Sequence, residues 1–274
     1  MRLIKKAIVM VLLFFVIVLL LFPFIWMVST ALKPPEEIFT QTPRWVPTNP
    51  TFQNFVHILG ETPFPRYFVN SVLVAFVTMV LSLVITIFAG YALSRYRFRG
   101  KQAFSMWLLI SQMFPAMLLI IPIFILLLRL GLYNTYASLI ITYGTFAIPF
   151  STWMMKSYFD TVPRDLEEAA LVDGCTRMQA LARVVLPLAA PGVATVALFV
   201  FILAWQEYMY ALTLTRTTDM RTLPVGISLF LGEYRVLWGS LMAGSVVVTA
   251  PVILLFIYLQ RYLVQGLTLG GVKG

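Results

Sequence analysis

The sequence predicts an all-α fold, a polytopic membrane protein with six transmembrane helices, and three observations carry that prediction. Apolar residues make up 60% of the chain and charged residues only 11%, whereas about a quarter of the residues in soluble domains are charged; the mean hydropathy is +0.90. The charges are also set far apart. Uncharged runs of at least 23 residues separate Lys6 from Lys33, Arg66 from Arg95, Lys101 from Arg129, Arg129 from Lys156, Arg183 from Glu207 and Arg235 from Arg261; a helix needs roughly 20 residues to cross a bilayer core. Finally, these runs are continuous. A transmembrane β-barrel, the other architecture that satisfies its backbone in lipid, would show short alternating segments instead.

The spans are expected near residues 8–30, 67–93, 104–128, 137–157, 189–211 and 240–262. Arg2, Lys5 and Lys6 precede the first of them as the n-region of a signal peptide would. Its apolar stretch is too long for a typical leader, so a retained helix is expected. The segment from Lys33 to Arg66, rich in proline and aromatics, follows on the outer side, and its His57 reads as an ordinary surface histidine. Between the second and third spans comes RYRFRGK, residues 95–101, the strongest single indicator of orientation. With the N-terminus inside, 13 of the 20 lysines and arginines fall on the inner side, so the positive-inside rule puts both termini in the cytoplasm. The formal charge of +9 then expresses topology and attraction to anionic lipid, and no soluble basic domain points to nucleic acid. In the third span Pro115 and Pro122 are expected to free carbonyls and bend the helix, either along a pathway or as a purely structural kink.

One polar segment interrupts the pattern between the fourth and fifth spans: EEAALVDGCTRMQALARVVLPLAAPG, residues 167–192. Pro163 suits a first helical turn, Asp165, Glu167 and Glu168 place negative charge near the positive end of a helix dipole, and Gly174 supplies a stop. Thr176 with Gln179 three residues on has the form of a capping box. Met178, Leu181, Val185 and Leu186 recur at helical spacing and give the second helix an apolar face, and Pro187 and Pro191 mark re-entry into the membrane. Two short helices with a sharp bend at Gly174 are expected. On the first, Leu166, Ala169, Ala170 and Asp173 share one side, where alanines admit another backbone and carboxylates meet basic groups. No histidine or cysteine accompanies them at a ligand or nucleophile spacing, so the segment is a docking element or an amphipathic loop lying on headgroups, and no catalytic residue or metal site is expected. Cys175 is the single cysteine; it forms no intramolecular disulfide and reads as a small packing residue.

The string EAALVDG, then nine residues, then VVLP (Glu168, Ala169, Ala170, Gly174, Leu186, Pro187, with Glu167 and Asp173 beside them) resembles the EAA signature of permease subunits of ATP-binding-cassette importers. The C-terminal QRYLVQGLTLGGVKG and the early FPFIWMVSTALKP are similar to the MalG type of carbohydrate permease, so the resemblance runs from the first span to the last residue. It implies the type I ABC importer (MetI-like, MalG-like) permease fold, with an N-terminal span and outer segment over residues 1–66, a transmembrane domain over 67–263 that includes a coupling loop at 160–188, and a cytoplasmic tail over 264–274. In that family the loop docks into a groove on the cytosolic ATPase. The tail (Gly270, Gly271, Val272, Lys273, Gly274), which by composition alone reads as a disordered end, reaches the ATPase interface. The partners implied are a second, MalF-like permease, two MalK-like ATPase subunits, an extracytoplasmic sugar-binding protein facing 33–66 and 213–239, and membrane lipid. No GxxxxGK[ST] pattern occurs in the chain, so no cofactor is expected on it, and ATP and Mg belong to the partner ATPase.

A sugar site needs hydrogen-bonding groups and aromatic faces, and Gln206, Glu207 and Tyr210, with Tyr208, supply both late in the fifth span; Glu207 at the outer headgroup level is the plainer alternative. Gln112, Met113 and Phe114, just before Pro115, form a second candidate stretch. The resemblance implies a disaccharide or oligosaccharide of the maltose or trehalose type, with glycerol-phosphate compounds as the alternative; in the maltose system the partner permease holds most of the sugar. An ion-coupled secondary transporter would need several intramembrane carboxylates and an internal repeat, and only Glu207 qualifies. An intramembrane enzyme would need a nucleophile, histidine or metal cluster within the spans.

Overall fold

The structure, a computed structural model, describes residues 2–40, 42, 44–232 and 236–270, with the backbone alone for 2–4 and 263–270. No β-strand occurs among the described residues, only an isolated antiparallel bridge between Leu231 and Val236. The main helices are α1 (Arg2–Ala31), α2 (Phe64–Arg95), α3 (Lys101–Ser111), α4 (Ile120–Arg129), α5 (Tyr136–Thr161), α6 (Arg164–Val172), α7 (Arg177–Ala180), α8 (Ala190–Trp205), α9 (Met209–Leu214) and α10 (Trp238–Gly270). Each expected span has its helix or helices in this series. Among the described residues three stretches are both long and apolar enough to cross a membrane, Lys5–Ala31, Phe64–Arg95 and Trp238–Tyr262, or five if each of two bent pairs is one span.

The fourth expected span is α5, 26 residues long, and its sequence is the most polar of the six for a physical reason. Ser138, Thr142, Tyr143, Gly144, Ser151 and Thr152 are buried inside the protein, so this helix meets side chains where others meet lipid. Part of that polarity is satisfied within the helix: Thr142 Oγ1 donates to the Ser138 carbonyl at 2.7 Å and Ser138 Oγ to that of Thr135 at 2.7 Å. Thr135 caps the N-terminus by accepting from the Ser138 amide. Along α1, by contrast, Ile8 to Ile25 expose large apolar side chains, the surface a lipid-facing helix presents.

Two expected spans are not single helices. The third breaks between Ser111 and Ala116, where the chain turns through 89°. Pro115 lies in an extended conformation at the break (φ −60°, ψ 119°). Its missing N–H and the constraint it puts on Phe114 both oppose helix continuation. Pro122 does not add a bend: it falls in the first turn of α4, where a helix has an unpaired N–H position to spare. The fifth is split because α8 ends at Trp205 and α9 begins only at Met209; the chain enters it through an 80° bend between Arg177–Leu188, in the preceding polar segment, and Ala190–Trp205.

The chain divides into two compact units, residues 1–68 with 225–251 and residues 69–224 with 252–274. In the first, Lys33 is buried, donates from Nζ to the Arg44 carbonyl at 2.6 Å and lies 4.5 Å over the Trp26 ring. Asn54 Nδ2 donates to the carbonyls of Ala31 and Lys33, both at 2.9 Å, tying the end of α1 to the segment that follows. His57, expected as an ordinary surface residue, is half-buried with Nδ1 3.0 Å from Ser240 Oγ. Spacing could not show this pairing, because 183 residues separate the two. The second unit carries every candidate site residue described below.

Candidate functional site

The segment 160–188 folds as the sequence indicates, and its local signals explain why. Helix α6 starts at Arg164 after Pro163 and carries Asp165 and Glu167 in its first turn, favourable near the positive end of the helix dipole. It ends in a Schellman arrangement. Gly174 takes φ +89°, its N–H donates to the Leu171 carbonyl at 3.1 Å, and the Cys175 N–H donates to that of Ala170 at 3.0 Å. The next helix opens at once with the expected capping box: Thr176 Oγ1 accepts from the Gln179 amide, and Gln179 Oε1 accepts from the Thr176 amide at 2.8 Å. A π-helical turn over Leu181–Val185 and a last short turn at Leu186–Leu188 lead into the 80° bend.

Burial sorts these residues. Glu168, Ala169, Asp173, Gly174 and Pro187 are exposed, and Ala170 and Leu186 are half-buried. Val172 is 87% and Met178 58% exposed, and Leu166 is exposed as well. Met178 therefore departs from the expected inner face that Leu181 and Val185 do form; it sits in the first turn of α7, before the chain turns inward. Glu167 also points the other way from its neighbour Glu168. It is only 4% exposed, its Oε2 accepts from Arg95 Nε at 2.7 Å, and its Oε1 accepts from the Tyr91 hydroxyl. Past the apolar part of α5, Asp160 faces competing influences: burial pushes its carboxyl up, but hydrogen bonds from Lys156 and Ser94 and the charges of Lys156 and Lys101 hold it below its usual range. Its share of stability is therefore present at neutral pH and lost only as pH falls through that lowered value.

The tail residues Gly271, Val272, Lys273 and Gly274 lie outside the described residues, and Gly270 is the last residue of α10.

The five pathway candidates come together. Gln112 and Met113 from the break after α3, and Gln206, Glu207 and Tyr210 from the break after α8, line one cavity of about 680 Å³. Glu207 is not within a transmembrane helix as expected, because the helix stops at Trp205. Its carboxylate instead caps α9: Oε1 accepts from the Tyr210 amide at 2.8 Å and Oε2 from the Ala211 amide at 2.9 Å. Tyr210 donates its hydroxyl to the Ala116 carbonyl at 2.6 Å, tying α9 to the turn that follows the break at Pro115. Gln112 Nε2 donates to the Phe146 carbonyl at 3.3 Å. The sequence did not single out Tyr143, which also lines the cavity. Its buried hydroxyl faces Glu207 without closing a bond of good geometry. The available signal was a tyrosine in a span otherwise lined with small polar residues. Replacing Glu207 with alanine is expected to cost about 1 kcal/mol, the worth of a helix cap, seen as a modest fall in the thermal midpoint of the solubilised protein.

Comparison with known proteins bears directly on this arrangement. The model of the binding-protein-dependent transport system inner membrane component family matches residues 82–269. The chain belongs to that family. The permease is 38% identical over 254 residues (93% of this chain, 89% of the other) to the sulfoquinovosyl glycerol transport system permease protein SmoH of Agrobacterium fabrum. It is 38% identical over 260 residues (94% and 93%) to the trehalose/maltose transport system permease protein MalG of Thermococcus litoralis. Its fold superposes with a TM-score of 0.80 and 26% identity, covering 94% of this chain and 96% of the other, on a chain of a bacterial ABC transporter that imports the acidic polysaccharide alginate. The permease is thus a multi-pass component of a sugar ABC importer in the inner membrane, with the type I permease fold. It works with a binding protein, and a separate subunit hydrolyses ATP.

Proposed function

We propose that the permease forms half of the translocation pathway for a disaccharide or oligosaccharide of the maltose or trehalose type and takes its driving force through the loop at 160–188. The observation that carries this reading is the loop itself: two short helices locked by a Schellman end and a capping box, with Leu166, Ala169, Val172 and Met178 exposed beside Glu168 and Asp173. An apolar strip bordered by carboxylates fits a groove with basic edges on an ATPase. The second half of the pathway is a MalF-like permease, and two MalK-like ATPases hold the ATP and Mg, so no cofactor sits on this chain. The tail at 270–274 is a further point of contact with those ATPases, and both termini are cytoplasmic. Residues 1–66 form the N-terminal span with its outer segment, and 67–263 the transport domain.

The cavity shared by Gln112, Met113, Gln206, Glu207 and Tyr210 is this chain's wall of the path. With its carboxylate committed to capping α9 and Gln112 Nε2 donating to the Phe146 carbonyl, Glu207 shapes the wall, leaving the Gln206 amide, the Gln112 amide oxygen and the Tyr210 ring to meet a sugar. Alternating access then requires that ATP bind the outward-facing state better than the inward-facing one, since a ligand without that preference shifts nothing.

The sugar class is tested by equilibrium binding of the cognate binding protein to a panel of sugars and glycerol-phosphate compounds. A disaccharide should bind at least about tenfold tighter than any glycerol phosphate, a difference of about 1.4 kcal/mol. The reverse order would overturn the maltose or trehalose reading and favour the phosphate alternative.

A further inference from the structure

We propose that Arg95 is a positioning residue for coupling. Through its buried pair with Glu167 it fastens α6 to the last turn of α2, so that a displacement of the loop is delivered to the long helix and not dissipated in the connection. The inference rests on the coupling reading above and adds the element that receives the motion.

The contacts converge on one turn. Arg95 and Glu167 side chains are 5% and 6% exposed and meet at 2.7 Å. The Tyr91 hydroxyl, one turn earlier on α2, donates to the other carboxylate oxygen. Arg95 Nη2 also donates to the Val162 carbonyl at 3.0 Å, just before α6 begins. In the return direction Arg164 Nη2 donates to the Ser94 carbonyl at 3.0 Å, and Ser94 Oγ donates to Asp160 Oδ1 at 2.7 Å. Tyr91, Ser94 and Arg95 thus grip the end of α5, the linker and α6 together.

A buried ion pair is weak evidence of stabilisation, because desolvation offsets much of the attraction; its better-attested use is to fix one arrangement among several. Here both carboxylate oxygens of Glu167 and the Nε and Nη2 donors of Arg95 are occupied, the condition under which such a pair holds a unique geometry. Glu168, next in sequence, faces outward. Adjacent carboxylates therefore divide the work: Glu168 meets the partner, and Glu167 holds the loop on its own chain. Energetic coupling over distance needs packed, hydrogen-bonded elements with defined arrangements, and α2, 32 residues long, is the element that Arg95 connects.

The test uses the complete transporter in liposomes, measuring sugar moved per ATP hydrolysed and, separately, affinity of the ATPase for the membrane subunits. Glu167→Gln and Arg95→Gln should lower sugar moved per ATP by about tenfold, within the usual span of coupling effects, with ATPase affinity unchanged. Arg95→Lys should fall less, and the exchange R95E with E167R should recover part of the loss. Where Arg95→Gln fails to accumulate in the membrane, Glu167→Gln and Arg95→Lys decide. Wild-type sugar per ATP in these variants would overturn the proposal, as would a loss of ATPase affinity matching that of Glu168→Lys. An unchanged affinity in Glu168→Lys itself would instead strike at the coupling reading.

Discussion

Gly90→Leu is expected to lower the thermal midpoint of the solubilised permease more than any other single substitution on α2. A Cβ at position 90 would stand 2.8 Å from Met155 Cβ and 3.0 Å from the Lys156 amide nitrogen, so it would strike the backbone of α5 where no side chain can swing aside. Helices in membranes gain their association from close packing, and a small residue at the crossing is what lets two backbones approach. Overpacking costs about 1–3 kcal/mol and more where the backbone must move. Alanine already carries the offending Cβ, so Gly90→Ala should lose part of the same stability. Gly60→Ala is the control, since nothing lies within 4 Å of a Cβ there. The measurement is thermal unfolding in detergent, and an unchanged midpoint for Gly90→Leu would refute the α2–α5 contact.

Gly174→Pro is expected to remove ATPase docking while the permease still enters the membrane. Gly174 sits at φ +89°, whereas proline is confined near −65°, and the substitution also deletes the N–H that donates to Leu171. Both halves of the Schellman end fail, at a local cost of about 3 kcal/mol, and the angle between α6 and α7 is no longer defined. The exposed strip of Leu166, Val172 and Met178 then loses its fixed shape. Glu168→Lys should weaken docking from the opposite cause, reversing one charge on an intact element. Co-purification with the cognate ATPase and sugar uptake report the two effects. If both variants dock and transport as wild type, the loop is not the coupling point.

What the sequence made legible was local or periodic. The stop at Gly174 and the capping box at Thr176 and Gln179 depend on residues within one turn, so their pattern suffices. The apolar runs pointed to a helix at each expected span for the same reason, although α5 is not among the stretches apolar enough to cross a membrane by composition, and hydropathy reads straight through a bend. The chain turns by 89° before Ala116 while remaining apolar on both sides, and Pro115 hinted only at a kink. Glu207 looked like an intramembrane carboxylate because the run around it is apolar; its role as the cap of α9 depends on where α8 stops, and no sequence marker shows that end. The pair of Arg95 with Glu167 joins residues 72 positions apart. In the sequence one is a topology charge and the other part of a motif.

The coupling account is tested most directly by uptake into liposomes. The permease alone is predicted neither to hydrolyse ATP nor to concentrate sugar. Together with its second permease, the ATPase, ATP and loaded binding protein, it is predicted to accumulate sugar with ATPase activity that the binding protein stimulates. Uphill uptake by this chain alone, driven by an ion gradient, would contradict the account.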